Sequence, residues 1–175
     1  MNMKNVAIIF SMLILFSTGL PRPIQKKVNK EIKDVFSIEN FKMTPLLFSE
    51  EVQKELPAAF GDLNLFEIRS ETDIIGYAYI GKSFGKTDDF DFLILLDIDF
   101  IIVRTKVLIY REDYGGEIGS KRWLKQFNGK GRNDELKLHQ DIVAISGATI
   151  SVKVMTASIN RVLASIKILH EKKLL

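Results

Sequence analysis

The sequence predicts an α+β fold, an antiparallel sheet packed with helices, on the order of its patterns and on its composition. Four runs rich in Phe, Ile, Val and Tyr, at residues 66–68, 74–80, 90–96 and 101–110, are separated by charged or glycine-containing turns, as in an antiparallel sheet. Helix-patterned segments lie before and after this block, in the order helices, sheet, helix, loop, helix, which reads as a single α+β domain. The chain has 175 residues, 46% of them hydrophobic and 27% charged, the balance of one globular domain large enough to bury its own core.

The elements follow in order. Lys4 precedes an apolar stretch at residues 6–16 broken only by Ser11, and Ser17, Thr18 and Gly19 come before Pro21 and Pro23. This is the pattern of a secretory signal peptide or membrane anchor over residues 1–20. The run is shorter than the roughly 20 residues a spanning helix prefers, so cleavage near Gly19 is expected over retention. Either outcome places the protein outside the cytoplasm, in the periplasm or at the outer face of the membrane, with membrane association possible through residues 5–20. The competing reading is a buried helix of the domain itself. Residues 24–36 set Val28, Ile32 and Val35 near one helical face, and residues 48–56 read as a second helix stopped by Pro57. Residues 21–70 are thus expected as a helical extension packed on a domain of residues 71–175. Asp97, Ile98, Asp99 and Phe100 form the turn between the last two strands. Residues 120–127 read as a short helix closed by Asn128 and Gly129, and residues 151–169 as a long one with Val152, Met155, Ile159, Val162, Ile166 and Leu169 at helical spacing.

Composition excludes several chemistries. Without cysteine there can be no disulfide, thiolate metal site, iron–sulfur cluster, cysteine nucleophile or lipoprotein anchor. With only His139 and His170, an all-histidine metal site is not expected. The net charge of +3 is spread along the chain, so no nucleic-acid partner is indicated. Asp88, Asp89, Asp91, Asp97 and Asp99 contain close carboxylate pairs, yet lack the Asp-x-Asp-x-Asp-Gly spacing of a calcium loop.

The segment richest in chemistry is Ile145-Ser146-Gly147-Ala148-Thr149-Ile150-Ser151, where an extended stretch enters the long C-terminal helix. Gly147 and Ala148 let backbone N–H groups approach a ligand, and Ser146, Thr149 and Ser151 bring hydroxyls to the positive end of a helix, where phosphate is favoured. Serine and threonine before an apolar periodic run are also ordinary N-caps, and spacing alone leaves both readings open. Trp123 and Phe127, four apart on a helix, offer either an aromatic face to a ligand or core packing.

This stretch resembles the flavin-attachment motif Ser/Thr-Gly-Ala-Thr/Ser-x-Thr/Ser of the FMN-binding domain family, found in the C and G subunits of sodium-pumping quinone reductase and of Rnf complexes. Gly76-Tyr77-Ala78-Tyr79, the following hairpin to Val107-Leu108, Arg111-Glu112 with Gly115-Gly116, and the segment Trp123 to Lys130 occur in the family's order, so the resemblance runs from about Gly76 to Leu169. It implies FMN carried on Ser151 through a phosphoester. It gives Thr149 a supporting role and sets Glu112, with the glycines of its loop, near the flavin. It also implies a magnesium-dependent flavin transferase that uses FAD and releases AMP, a membrane electron donor and a separate acceptor.

The chain departs from the family in three places. Val143 stands three residues before Ser146, where an aspartate is common, with Asp141 further upstream. Asp113-Tyr114-Gly115-Gly116-Glu117 replaces Thr-Pro-Gly-Leu-Gly, and Phe100 lies near a turn position often held by glycine. The expected cofactor contacts are therefore Ser146, Gly147, Ala148, Thr149, Ser151, Glu112, Gly115, Gly116 and Trp123, in an electron carrier more than a stand-alone enzyme. The alternative is a non-redox binding or assembly module of the same fold without covalent flavin.

Overall fold

The computed structural model describes residues 19–61 and 63–175, and the expected leader at residues 1–20 lies outside these except for Gly19 and Leu20. The fold is α+β. Five antiparallel strands form one sheet in the order β1-β2-β3-β4-β5: β1 is Lys42–Pro45, β2 Leu65–Arg69, β3 Ile74–Phe84, β4 Asp89–Leu96 and β5 Ile102–Tyr110. Helix α1 (Arg22–Phe36) covers one face. The other face carries α4 (Thr149–Glu171) together with α3 (Lys121–Leu124) and two 3-10 turns, Gly116–Gly119 and Lys125–Phe127.

Sequence explains this layering. In β4 the residues Phe90, Phe92, Ile94 and Leu96 meet the α4 side, while Leu93 and Leu95 meet α1, so the strand is apolar on both faces. Helix α1 buries Ile24, Val28 and Ile32 along one stripe and ends at Ser37, which adopts a left-handed conformation. Helix α2 (Glu50–Glu55) begins at Ser49, whose hydroxyl accepts the Val52 N–H, and ends before Pro57. Within the segment 21–70, β2 covers the strand run expected at 66–68, while β1 has no counterpart in the sequence reading; both extend the same sheet as the strands that follow. Strand β1 has only four residues and ends in Pro45; an edge strand tolerates a proline that a central strand would not.

The β4–β5 turn forms where expected. The Asp97 carboxylate accepts N–H groups from Asp99 at 3.0 Å and Ile101 at 2.9 Å. Phe100 sits at φ 61°, a conformation that favours glycine, and its ring stacks on Tyr77 at 4.5 Å. Burial of that ring offsets the backbone strain.

Helix α4 starts at Thr149, two residues before the expected boundary, and is anchored along its length. Ser158 and Ser83 hydroxyls meet at 2.7 Å, Ser165 accepts the Ala58 N–H at 2.9 Å, and the Asn160 side chain binds both the N–H and the C=O of Leu136 at 2.8 Å. Among the described residues no helix is long and apolar enough to cross a membrane. Also among them, no group of three or more His, Asp or Glu is placed to hold a metal ion.

Candidate functional site

The C-terminal ends of β3 and β5 and the N-terminus of α4 converge on a cavity of about 380 Å³, lined in part by Lys86, Glu112, Tyr114, Ala148, Thr149 and Ser151. The approach to α4 sets its character. Gly147 has φ 84°, and the Ala148 N–H bonds the Ile145 carbonyl at 3.3 Å. A side chain at Gly147 would meet nothing within 4 Å, so glycine serves the backbone conformation and not a tight fit.

The helix then begins with Ala148 as N-cap and no side-chain cap. Capping by Ser146, Thr149 or Ser151, one of the readings open from sequence, is not how this helix starts. The first amide to bond back is Val152, which reaches the Ala148 carbonyl at 2.9 Å. The N–H groups of Thr149, Ile150 and Ser151 have no acceptor among the described residues and all three residues line the cavity. A first turn with free amides and the positive end of the helix dipole favours an anion.

Ser151 is only 3% exposed. Its Oγ lies 3.1 Å from the Tyr110 hydroxyl, which donates to the Tyr114 carbonyl at 2.7 Å. The phenol has one proton, already committed to that carbonyl, so Ser151 is the donor between the two hydroxyls. The Tyr110 pKa is raised by burial, in part offset by the Ser151 hydrogen bond, with Glu112 and Glu117 adding to the rise. Gly115, at φ 84°, lets the 111–116 loop close on Ala148 and the Tyr110 hydroxyl. Glu112 accepts the Lys86 N–H and thereby ties the β5 end to the β3–β4 turn. Gly85 leaves room for that carboxylate.

The structure thus gathers Gly147, Ala148, Thr149, Ser151 and Glu112 around one cavity. Ser146 and Trp123 line a neighbouring cavity of about 530 Å³ with Gln126, Val143 and Ile145. Trp123 is 4% exposed, meets Phe127 edge to face at 5.1 Å, and donates its indole N–H to the Val143 carbonyl at 2.9 Å. Gln126 accepts the Val143 N–H at 2.8 Å. These two side chains hold the segment leading to Gly147. Gly115 and Gly116 line neither cavity and act through the loop backbone. Tyr110, Lys86 and Thr87 were not singled out from sequence. Tyr110 ends a strand 41 residues before Ser151, and no local spacing connects them.

At the position where the resemblance leads one to expect an aspartate, Val143 is 68% exposed, and the nearby Asp141 carboxylate is engaged by the Lys137 N–H at 2.9 Å. Residues 85–164 match the family described as the FMN-binding domain, a span that includes every residue placed at this site. No curated protein matches the chain.

Proposed function

With an FMN-binding domain at residues 85–164 as the premise, we propose that the protein is an exported electron carrier whose FMN is joined by a phosphoester to Ser151. The observation that carries this reading is the meeting, in one cavity, of the Ser151 hydroxyl with the free first-turn N–H groups of α4. Those amides suit the phosphate end of the cofactor, and Lys86 adds a positive charge on the facing turn. Tyr114 and Ile150, 84% and 47% exposed, offer aromatic and apolar surface beside it of the kind a planar ring needs. When bound, FMN supplies reversible one- and two-electron transfer.

The chain's own residues prepare the attachment point. Tyr110 accepts the Ser151 proton in a hydrogen bond and so fixes the hydroxyl's rotamer, leaving the oxygen's lone pairs for the incoming group. In maturation by a flavin transferase, Ser151 Oγ forms a bond to the FMN-side phosphorus of FAD, the pyrophosphate bond breaks, AMP leaves and the serine proton is released. A covalent tether suits a cofactor working outside the cytoplasm, the location the pattern of residues 1–20 supports. In this reading electrons come from a membrane donor and pass to a separate acceptor.

The exposed Val143 favours a second reading, a binding or assembly module without covalent flavin. Production of the protein and of Ser151→Ala with an active transferase separates the two. Covalent attachment predicts a yellow protein whose colour survives denaturation and is lost in the variant; a colourless wild type supports the module.

A further inference from the structure

Away from the α4 site, a cavity of about 480 Å³ lies along the outer edge of β5, and it shares no lining residue with the one around Ser151. Arg104 and Lys106 of β5, and Lys121, Arg122 and Lys125 of α3 and its following turn, line it around the strand's edge. No acidic residue lines it. Glu31 of α1 lies 3.8 Å from Arg104 and 3.3 Å from Lys106, and so offsets part of the charge contributed by β5. Lys121, Arg122 and Lys125 have no ion-pair partner among the described residues. Five cations against one acid exceed the +3 net charge of the whole chain.

A second, independent feature lies in the same place. Thr105, between Arg104 and Lys106, is 2% exposed, and its Oγ1 is the one buried side-chain polar atom without a hydrogen-bond partner among the described residues. Thr105 lines the cavity, as does the amide-bearing Asn128. Buried hydroxyls are nearly always satisfied, and an orphan one is destabilising.

We propose that this groove is a binding site for a phosphate-bearing ligand, with Arg104, Lys106, Lys121, Arg122 and Lys125 meeting the oxyanion and Thr105 and Asn128 completing its hydrogen bonds. Cations gathered from two elements around one cavity concentrate the field on a compact multivalent anion, and arginine forks match phosphate oxygens in pairs. A single carboxylate would leave most of this charge unanswered. A long acidic peptide would need a more extended surface.

The test follows backbone amides by NMR in the labelled protein as pyrophosphate is added. Short-chain phosphatidylglycerol below its micelle concentration is added separately, with the matching phosphatidylcholine as control. The expected result is saturable shifts at Arg104, Thr105, Lys121 and Lys125, at least about tenfold weaker in Lys121→Glu/Lys125→Glu, whose exposed positions leave the fold intact. Binding by pyrophosphate alone identifies a soluble phosphate, and binding by phosphatidylglycerol but not phosphatidylcholine identifies a lipid headgroup. Thr105→Val should raise the Tm by removing the orphan hydroxyl and still weaken binding. Shifts confined to the α4 N-terminus, shifts undiminished in the double variant, or a response to decaglutamate but to neither phosphate probe would each overturn the proposal.

Discussion

Tyr110 and Ser151 form the most informative residue pair in the molecule. Because the Tyr110 proton goes to the Tyr114 carbonyl, the phenol orients Ser151 without competing for its lone pairs. Tyr110→Phe should keep the fold and lower covalent flavin yield severalfold, measured as absorbance of denatured protein per polypeptide; an undiminished yield would remove Tyr110 from the site. Gly147→Ala should cost about 1–2 kcal/mol in urea unfolding, since its φ of 84° disfavours a side chain even where space is free. The contiguous motif from Ser146 to Ser151 was legible in the sequence because its chemistry is packed into six positions. Tyr110, Lys86 and Thr87 were not, because β3 and β5 bring them in from far along the chain. Trp123 was readable as either ligand contact or core, and the structure packs it against Phe127 with its indole fixing Val143.

At the level of elements, α4 holds the site in place from below. Asn160 binds both backbone groups of Leu136, at the start of the segment that climbs through Ile142 and Val143 to Gly147. Asn160→Ala should destabilise the protein by about 1–3 kcal/mol in thermal or urea unfolding, since two backbone groups lose partners together. A change below a few tenths would mean that water replaces the amide. The hydrophobic period of α4 was plain in the sequence. Its start was not, because the apolar pattern begins at Val152, whereas the backbone turns helical at Thr149. Strand β1 was missed because four residues ending in proline carry little pattern, and it exists through pairing with β2. The strands β2 to β5 were legible because β-branched and aromatic residues concentrate there between clear turns.

Across the whole molecule, one sheet with helices on both faces joins residues 21–70 to the segment that matches the FMN-binding domain. Tyr79 lies where the α4-side core meets the 56–60 segment. Burial pushes its pKa up to about 12, with Arg161 opposing the rise, and its hydroxyl donates to the Ala59 carbonyl at 3.0 Å. The fold holds the neutral phenol. Stability tied to this group is therefore complete below pH 10, where an unfolded tyrosine begins to ionise, and is lost as pH rises to about 12. Tyr79→Phe should flatten the fall of Tm across that interval, and an unchanged slope would assign the alkaline loss to other groups. The central claim concerns Ser151, and its most direct test is the intact mass of the protein made with an active flavin transferase, followed by peptide mapping across residues 146–151. The account predicts a gain of one FMN less one water, located on Ser151. An unmodified mass, with the transferase active on a control substrate, or a flavin mapped to Thr149, would contradict it.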